Sequence, residues 1–216
     1  MLQKVKFIFS VSKIVQNQQI FRLPRVNYSQ NTKSFKEVII RHNFHKECEE
    51  GLNKQINLEL QASYTYFCLS TCLSRPDVAL PGYARFFAAA ATEEQHHAEL
   101  LASFVNSRGG DVAIRDVPAP SLAPVHDPVV ALHHSIDLER SVLASLEELH
   151  KIASTHGDSY LTGFLEEHFI SEGYESIRQL AEMLTKLQRA GSAEGIELLD
   201  LDLLRHPPKI CERYKK

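Results

Sequence analysis

The stretch YARFFAAAATEEQHHAELL, residues 83–101, decides the fold, because an apolar run passes directly into three glutamates and two histidines. At about 100° per residue, a helix through this stretch has one apolar face. That face carries Tyr83, Phe86, Ala90, Leu101 and Phe104. Glu94 and His97 fall in the middle of the same face. Two members of the charged cluster are therefore predicted to occupy core positions.

Two further helical stretches place a carboxylate on an apolar stripe in the same way. Glu59 lies on the first, with Tyr66 one heptad later, and Glu139 lies on the third. The apolar residues of these stripes are Leu52, Ile56 and Phe67 in the first helix, and Leu132, Ile136, Leu143 and Leu146 in the third. Burying an unpaired carboxylate is very costly. A single core glutamate is explained by protonation or a local hydrogen bond, whereas three at matching depth indicate bound cations.

The ligand types narrow the choice of metal. Carboxylates with one imidazole and no thiolate suit iron or manganese better than structural zinc. The spacing Glu94-x-x-His97 places an oxygen and a nitrogen on adjacent turns, as in the dinuclear carboxylate sites of helix bundles. Glu93 lies beside this pair, whereas His96 and Glu99 point to another side of the helix. For those two residues, a solvated surface and a functional surface are equally good interpretations.

Charge separates the chain into a basic head and an acidic body. Seven of the 24 basic residues lie in the first 36 positions, which contain no acid, so the remaining 17 stand against all 27 acids. An acidic body argues against nucleic acid as a partner and is compatible with attracting cations. No run of 18 apolar residues occurs, so the sequence predicts no membrane-spanning helix and no membrane partner.

Residues 1–40 are predicted to be a basic N-terminal extension or transit peptide. The segment is rich in Lys, Arg, Ser and Gln, a composition typical of mitochondrial import signals. A secretory signal is less favoured, because Lys6 and Lys13 interrupt the apolar part. An extension without any address is the remaining alternative. We therefore expect a mitochondrial location, and otherwise a cytoplasmic one.

The rest of the chain predicts an all-α fold. Four long stretches have helical periodicity, at about 46–74, 81–107, 128–155 and 160–189. The first and third gaps are short and predict antiparallel neighbours, whereas the Gly/Pro-rich connection 108–128 is long enough to cross the bundle. A short fifth helix is expected at 196–206, and a polar tail at 207–216 begins with two prolines.

At this point the residues resemble ferritin of the heavy-chain, ferroxidase type. The matching segments, in ferritin's order and spacing, are NKQINLELQASYTYF (53–67), RPDVALPGYARFF (75–87), EEQHHAELL (93–101), LERSVLASLEELHKIA (138–153) and FLEEHFISE (164–172). The resemblance implies a ferritin-like di-iron domain over 41–206, forming a four-helix bundle with one long crossover and a short fifth helix. It also implies an iron-storing shell of 24 subunits, built from this chain alone or with a partner chain, with Fe2+ and O2 as substrates.

The resemblance also implies a ferroxidase centre holding two iron ions per subunit. Glu59 corresponds to the ligand of the first iron, Glu94 to the bridging glutamate, His97 to the histidine ligand and Glu139 to the ligand of the second iron. Tyr66 matches the tyrosine hydrogen-bonded beside the site, and Glu93 and Glu99 match acids proposed to nucleate mineral.

Two positions depart from the ferritin pattern. Gly173 stands where the family has a glutamine or an acid near the second iron, which predicts a wetter, weaker site unless Glu172 or Glu175 takes over. Gly163 stands at an aspartate position of the ion channel, while Glu166 remains. These changes leave open a second hypothesis, a weakly active or inactive structural subunit that co-assembles with a competent ferritin.

Overall fold

The computed structural model describes residues 40–120 and 125–208, which belong to one compact unit, Glu37–Lys216. Its helices are α1 Lys46–Leu73, α2 Pro81–Ser107, α3 Pro128–Thr155, α4 Ser159–Leu165, a π-helical turn Glu166–Ile170, α5 Ser171–Ala190 and α6 Ala193–Arg205. The described residues contain no strand, which confirms the all-α prediction. None of the described helices is both long and apolar enough to cross a membrane. The predicted extension, apart from Ile40, and residues 209–216 lie outside the described residues, so mitochondrial import stays a prediction.

Side-chain contacts between helices define the topology. Ser63 Oγ of α1 donates to the Ala91 carbonyl of α2 at 2.6 Å, and Ser70 Oγ donates to the Ala84 carbonyl at 2.8 Å. Residue numbers rise along α1 as they fall along α2, so the two helices are antiparallel.

Helix α3 is likewise antiparallel to α1. Gly51 of α1 lies against Leu149 of α3, whereas Tyr66 hydrogen-bonds Glu139. Helices α2 and α3, each antiparallel to α1, are therefore parallel to one another. The long connection between them is the crossover that the sequence predicts.

The apolar core consists of two clusters. One contains Phe86, Phe87 and Leu132 near the start of α2 and α3, and the other contains Leu101 and Leu146 further along the same helices. The predicted acids lie between these clusters in the sequence of both α2 and α3. The core is thus interrupted by a polar layer instead of running continuously along the bundle.

The prediction that Phe67 belongs to the apolar, core-facing stripe of α1 is wrong. Phe67 is 57% exposed, whereas the adjacent Tyr66 is 1% exposed. Successive helical residues are about 100° apart, so both cannot point into the core. Tyr66 takes the inward position because its hydroxyl finds a buried partner there.

The sequence predicts one continuous fourth helix at about 160–189, but the structure shows an irregular one. It consists of α4, the π-helical turn and α5 in direct succession. A π turn closes i→i+5 hydrogen bonds and accommodates an extra residue, so it changes which residues of the following helix face the core. Such turns occur often at functional sites. This one directly precedes Glu172 and Gly173.

Helix α6 corresponds to the predicted short fifth helix and docks on the start of α2. Asp200 is 3% exposed, and its Oδ1 accepts a hydrogen bond from the Tyr83 backbone N–H at 2.9 Å. The first turn of α2 has no side-chain cap of its own, since Leu80 precedes Pro81. Asp200 therefore supplies from a distant helix the cap that orphan N–H groups require.

Candidate metal centre

Three predicted ligands converge between α1 and α2. One potential ligand atom from each of Glu59, Glu94 and His97 lies within 4.8 Å of the other two. Glu59 is 0% exposed, Glu94 is 5% exposed, and the His97 side chain is 12% exposed. Two buried carboxylates and one imidazole form a donor set suited to iron or manganese.

Glu59 has an unsatisfied oxygen. Its Oε1 accepts a hydrogen bond from Gln55 Nε2 at 2.8 Å, but Oε2 has no donor among the described residues. Burial and the neighbouring Glu94 carboxylate raise the pKa of Glu59 well above its usual range. Two buried carboxyl groups this close need a proton or a cation to offset their repulsion, and a metal ion would supply that positive charge. Sequence reasoning missed Gln55, although its i,i+4 spacing to Glu59 places both on one helix face.

His97 lies between two carboxylates. Its Nδ1 is 3.2 Å from Glu94 Oε2, and its Nε2 is 3.3 Å from Glu172 Oε2. Burial disfavours the imidazolium, but the hydrogen bonds to Glu172 and Glu94 outweigh burial and raise the pKa of His97 to about 12. In the iron-free protein a proton on His97 therefore provides positive charge that a metal ion can replace.

Glu139 is held by Tyr66. The Tyr66 hydroxyl donates to Glu139 Oε1, and both side chains are buried. Burial raises the pKa of Glu139 to about 7, although the Tyr66 hydrogen bond opposes this shift. Burial and the nearby Glu139 and Glu94 raise the pKa of Tyr66 well above 10, so Tyr66 remains a neutral donor. Tyr66 fixes one oxygen of Glu139 and leaves the other available.

A cavity of about 460 Å³ lies between Tyr66, Glu94 and Glu139 on one side and α5 on the other. The acids that line it are Glu93, Glu94, Glu139, Glu167, Glu172 and Glu175. None of the described residues that line it is Lys or Arg. The cavity therefore has the charge and the oxygen donors that attract hard cations.

The other charged or imidazole side chains of residues 93–99 lie either in the cavity or on the surface. Glu93 is 4% exposed and lines the cavity. His96 and Glu99 are exposed, and Glu99 Oε1 accepts a hydrogen bond from Gln95 Nε2 at 3.2 Å. Glu93 is thus positioned beside the buried ligands, whereas Glu99 is separated from them.

The two unexpected glycines differ in their surroundings. A Cβ added to Gly173 would lie 3.1 Å from Leu143 Cδ1, so α3 partly fills the space in which we expected water. A Cβ added to Gly163 would meet no atom within 4 Å. Glu166 Oε1 lies 2.7 Å from His150 Nε2, while Glu167 turns to the cavity. The π-helical turn thus separates two adjacent acids.

Comparison with known proteins agrees with this geometry. Residues 49–190 match the ferritin-like domain family. The chain belongs to the ferritin family. The matched residues include most of α1 and all of α2, α3, α4 and α5.

Three relatives extend the match over nearly their whole lengths. Soma ferritin of Lymnaea stagnalis is 39% identical over 164 residues, covering 76% of this chain and 94% of the relative. The middle subunit of Salmo salar ferritin is 41% identical over 156 residues, covering 72% and 89%. The ferritin heavy chain of Echinococcus granulosus is 39% identical over 167 residues, covering 77% and 96%. The ferritin match thus extends across the whole bundle.

Proposed function

We propose that this ferritin oxidises Fe2+ with O2 at the buried centre and stores the resulting Fe3+ inside a protein shell. The observation that carries the proposal is the convergence of Glu59, Glu94 and His97 within 4.8 Å, with an unsatisfied Glu59 oxygen among them. A purely structural subunit has no use for such a cluster, because buried acids reduce the stability of the fold.

The proposed ligands belong to two iron-binding positions. Glu59 and His97 hold the first Fe2+, Glu139 holds the second, and Glu94 lies between them as the bridge. Two Fe2+ ions bound side by side would supply the two electrons that reduce one O2 to hydrogen peroxide, with two protons taken up and two Fe3+ formed. Carboxylate oxygens favour the product because hard anions stabilise Fe3+ over Fe2+. Tyr66 keeps Glu139 oriented throughout.

Glu172 is the fourth-helix donor in this proposal. The family's usual position is Gly173, which faces Leu143 and offers no side chain. Glu172 Oε2 lies 3.3 Å from His97 Nε2, and the same side chain lines the acidic cavity. A π-helical turn, Glu166–Ile170, ends two residues before it. Glu172 therefore positions His97 and adds a carboxylate oxygen beside it.

The heavy-chain and middle-subunit names of the relatives support a catalytic subunit within a larger shell. We propose a 24-subunit assembly, formed by this chain alone or together with another ferritin chain. The acidic cavity gives Fe3+ a polar route away from the centre, and Glu93 lies along it. A different di-metal oxidase is disfavoured, because neither Glu139-x-x-Val142 nor Glu172-x-x-Glu175 supplies a second Glu-x-x-His.

The decisive experiment is aerobic Fe2+ oxidation by the full chain, followed by absorbance. The Glu94→Ala/His97→Ala double variant should lose most of the rate, whereas the control Glu148→Ala, an exposed acid on α3 with no assigned role, should retain it. Native mass spectrometry checks that all three proteins assemble equally. Equal rates in the wild-type chain and the double variant would instead support the structural-subunit hypothesis.

A second variant tests Glu172 itself. Glu172→Gln keeps the size of the side chain but removes its charge, so we expect weaker metal binding at the centre. Calorimetric titration with Co2+, which is not readily oxidised under these conditions, should show fewer or weaker sites than in wild type. Identical titration curves would remove Glu172 from the centre without affecting the roles of Glu59, Glu94 and His97.

A further inference from the structure

A second group of potential metal ligands lies at the end of the bundle where α1 begins and α3 ends. His45 is the residue before α1, Glu47 is in the first turn of α1, and His156 directly follows α3. One potential ligand atom of each lies within 4.8 Å of the other two. The buried iron ligands take no part in this group. Two imidazoles and one carboxylate, contributed by two separate elements, are common ligands of transition metals.

The backbone on both sides of this group is tied together by Arg108. Its guanidinium donates to the Asn43 carbonyl at 2.8 Å and forms an ion pair with the buried Asp158 at 2.9 Å. Asn43 Nδ2 in turn donates to the Gly157 carbonyl at 3.3 Å. The segments that carry His45 and His156 are therefore fixed relative to each other, and fixed supports lower the cost of assembling a metal site.

The side chains of the group already interact. His156 Nε2 lies 2.8 Å from Glu47 Oε2, and the rings of His45 and His156 stack with centroids 3.5 Å apart. The rings are only 15° from parallel, so their in-plane lone pairs do not point to one position. Metal binding requires one ring to turn out of the stack.

Turning the His45 ring would break a helix cap. Its Nδ1 accepts a hydrogen bond from the Glu47 backbone N–H at 3.2 Å, which caps α1. A metal bond at either ring nitrogen is incompatible with that contact, because neutral imidazole has one lone pair on nitrogen. The Glu47 and His156 side chains, 62% and 24% exposed, have room to adjust.

We propose that His45, Glu47 and His156 bind a divalent transition metal ion of the Zn2+ class, with water completing the coordination. Imidazole favours Zn2+, Cu2+ and Ni2+ over Mg2+ and Ca2+. Glu47 supplies the negative charge. The neighbouring Lys46 forms an ion pair with Glu50, with 3.4 Å between Lys46 Nζ and Glu50 Oε1. This site is separate from the buried centre and independent of iron oxidation.

Crystals of the full chain soaked in Zn2+ test the proposal. We expect an anomalous-scattering peak about 2.0–2.2 Å from one atom each of His45, Glu47 and His156. The same crystals contain an internal control, because Zn2+ at Glu59, Glu94 and His97 shows that the ion has entered. A filled buried centre with no peak at the proposed site would overturn the proposal.

A solution measurement gives an independent answer. In a Glu59→Ala/His97→Ala background, which removes the buried centre, His156→Gln should reduce the number of tightly bound Zn2+ ions by one per chain. The matched control is His133→Gln, an exposed histidine elsewhere on α3, which should change nothing. An unchanged count in His156→Gln, or an equal fall in His133→Gln, would contradict the assignment.

Discussion

Gly82→Ala tests how α6 is attached to the bundle. Gly82 is the second residue of α2, where alanine is normally favoured over glycine by about 0.5–1 kcal/mol. In this structure an added Cβ would lie 2.1 Å from the Asp200 carbonyl oxygen. Ordinary contacts need more than 3 Å, so α6 must move away by about 1 Å.

That movement breaks a specific bond. The Asp200–Tyr83 hydrogen bond of 2.9 Å would lengthen to about 3.9 Å, beyond the range in which a hydrogen bond persists. Losing a helix cap costs about 0.5–2 kcal/mol, and a buried carboxylate without its donor adds to that. We therefore expect Gly82→Ala to destabilise the attachment of α6 by about 1–3 kcal/mol despite its better helix propensity.

Hydrogen exchange at the Tyr83 amide is the assay. A loss of about 1.4 kcal/mol gives roughly tenfold faster exchange at this amide and along α6, with little change in α1. The matched control is Gly163→Ala, where the added Cβ meets no atom within 4 Å. Unchanged exchange in Gly82→Ala would refute the reasoning, because it would show that α6 accommodates the methyl group without losing the cap.

Two further variants test the buried layer in protein freed of iron by a chelator. Tyr66→Phe removes the only hydroxyl that bonds Glu139 Oε1 among the described contacts, so the melting temperature should fall, with a cost of about 1–3 kcal/mol; an unchanged midpoint would contradict the assigned bond. Glu139→Gln removes a carboxyl whose pKa burial raises from 4.5 to about 7, so the charged form destabilises the fold increasingly as pH rises from 4.5 through 7. The variant should therefore gain stability over wild type at pH 8 and little at pH 5, and a gain independent of pH would contradict the assignment.

Much of the fold could be predicted from helical periodicity and from the lengths of the connecting segments. The apolar stripes and the long 108–128 segment predict four helices and their parallel middle pair, because both depend on local spacing alone. Phe67 was wrongly assigned to the apolar stripe, because helical periodicity alone does not decide which of two adjacent apolar residues faces the core. Tyr66 lies inward owing to its bond with Glu139, and that partner belongs to another helix.

The π-helical turn Glu166–Ile170 has no comparable signal in the sequence. Residues of that turn have ordinary helical preferences, and the turn depends on how the fourth helix fits against the others. Gly173 was identified by its place in the ferritin pattern, with Glu172 or Glu175 as the alternative donors. The structure instead brings Glu172 to His97 and places Gly173 against Leu143. Angular spacing therefore predicted that Glu59, Glu94 and Glu139 are buried, whereas the contact between Glu172 and His97 could not be derived from it.

The buried acids connect stability with function. Glu59, Glu94 and Glu139 all have raised pKa values because burial disfavours their charged forms. A cation that binds only the folded chain stabilises it by RT ln(1 + [L]/Kd), about 2.7 kcal/mol at one hundred times Kd. Without a cation, the raised pKa values favour the neutral, protonated forms of these carboxyls in the polar layer between the two apolar clusters. Iron bound at the proposed centre would therefore stabilise the fold as well as serve as the substrate.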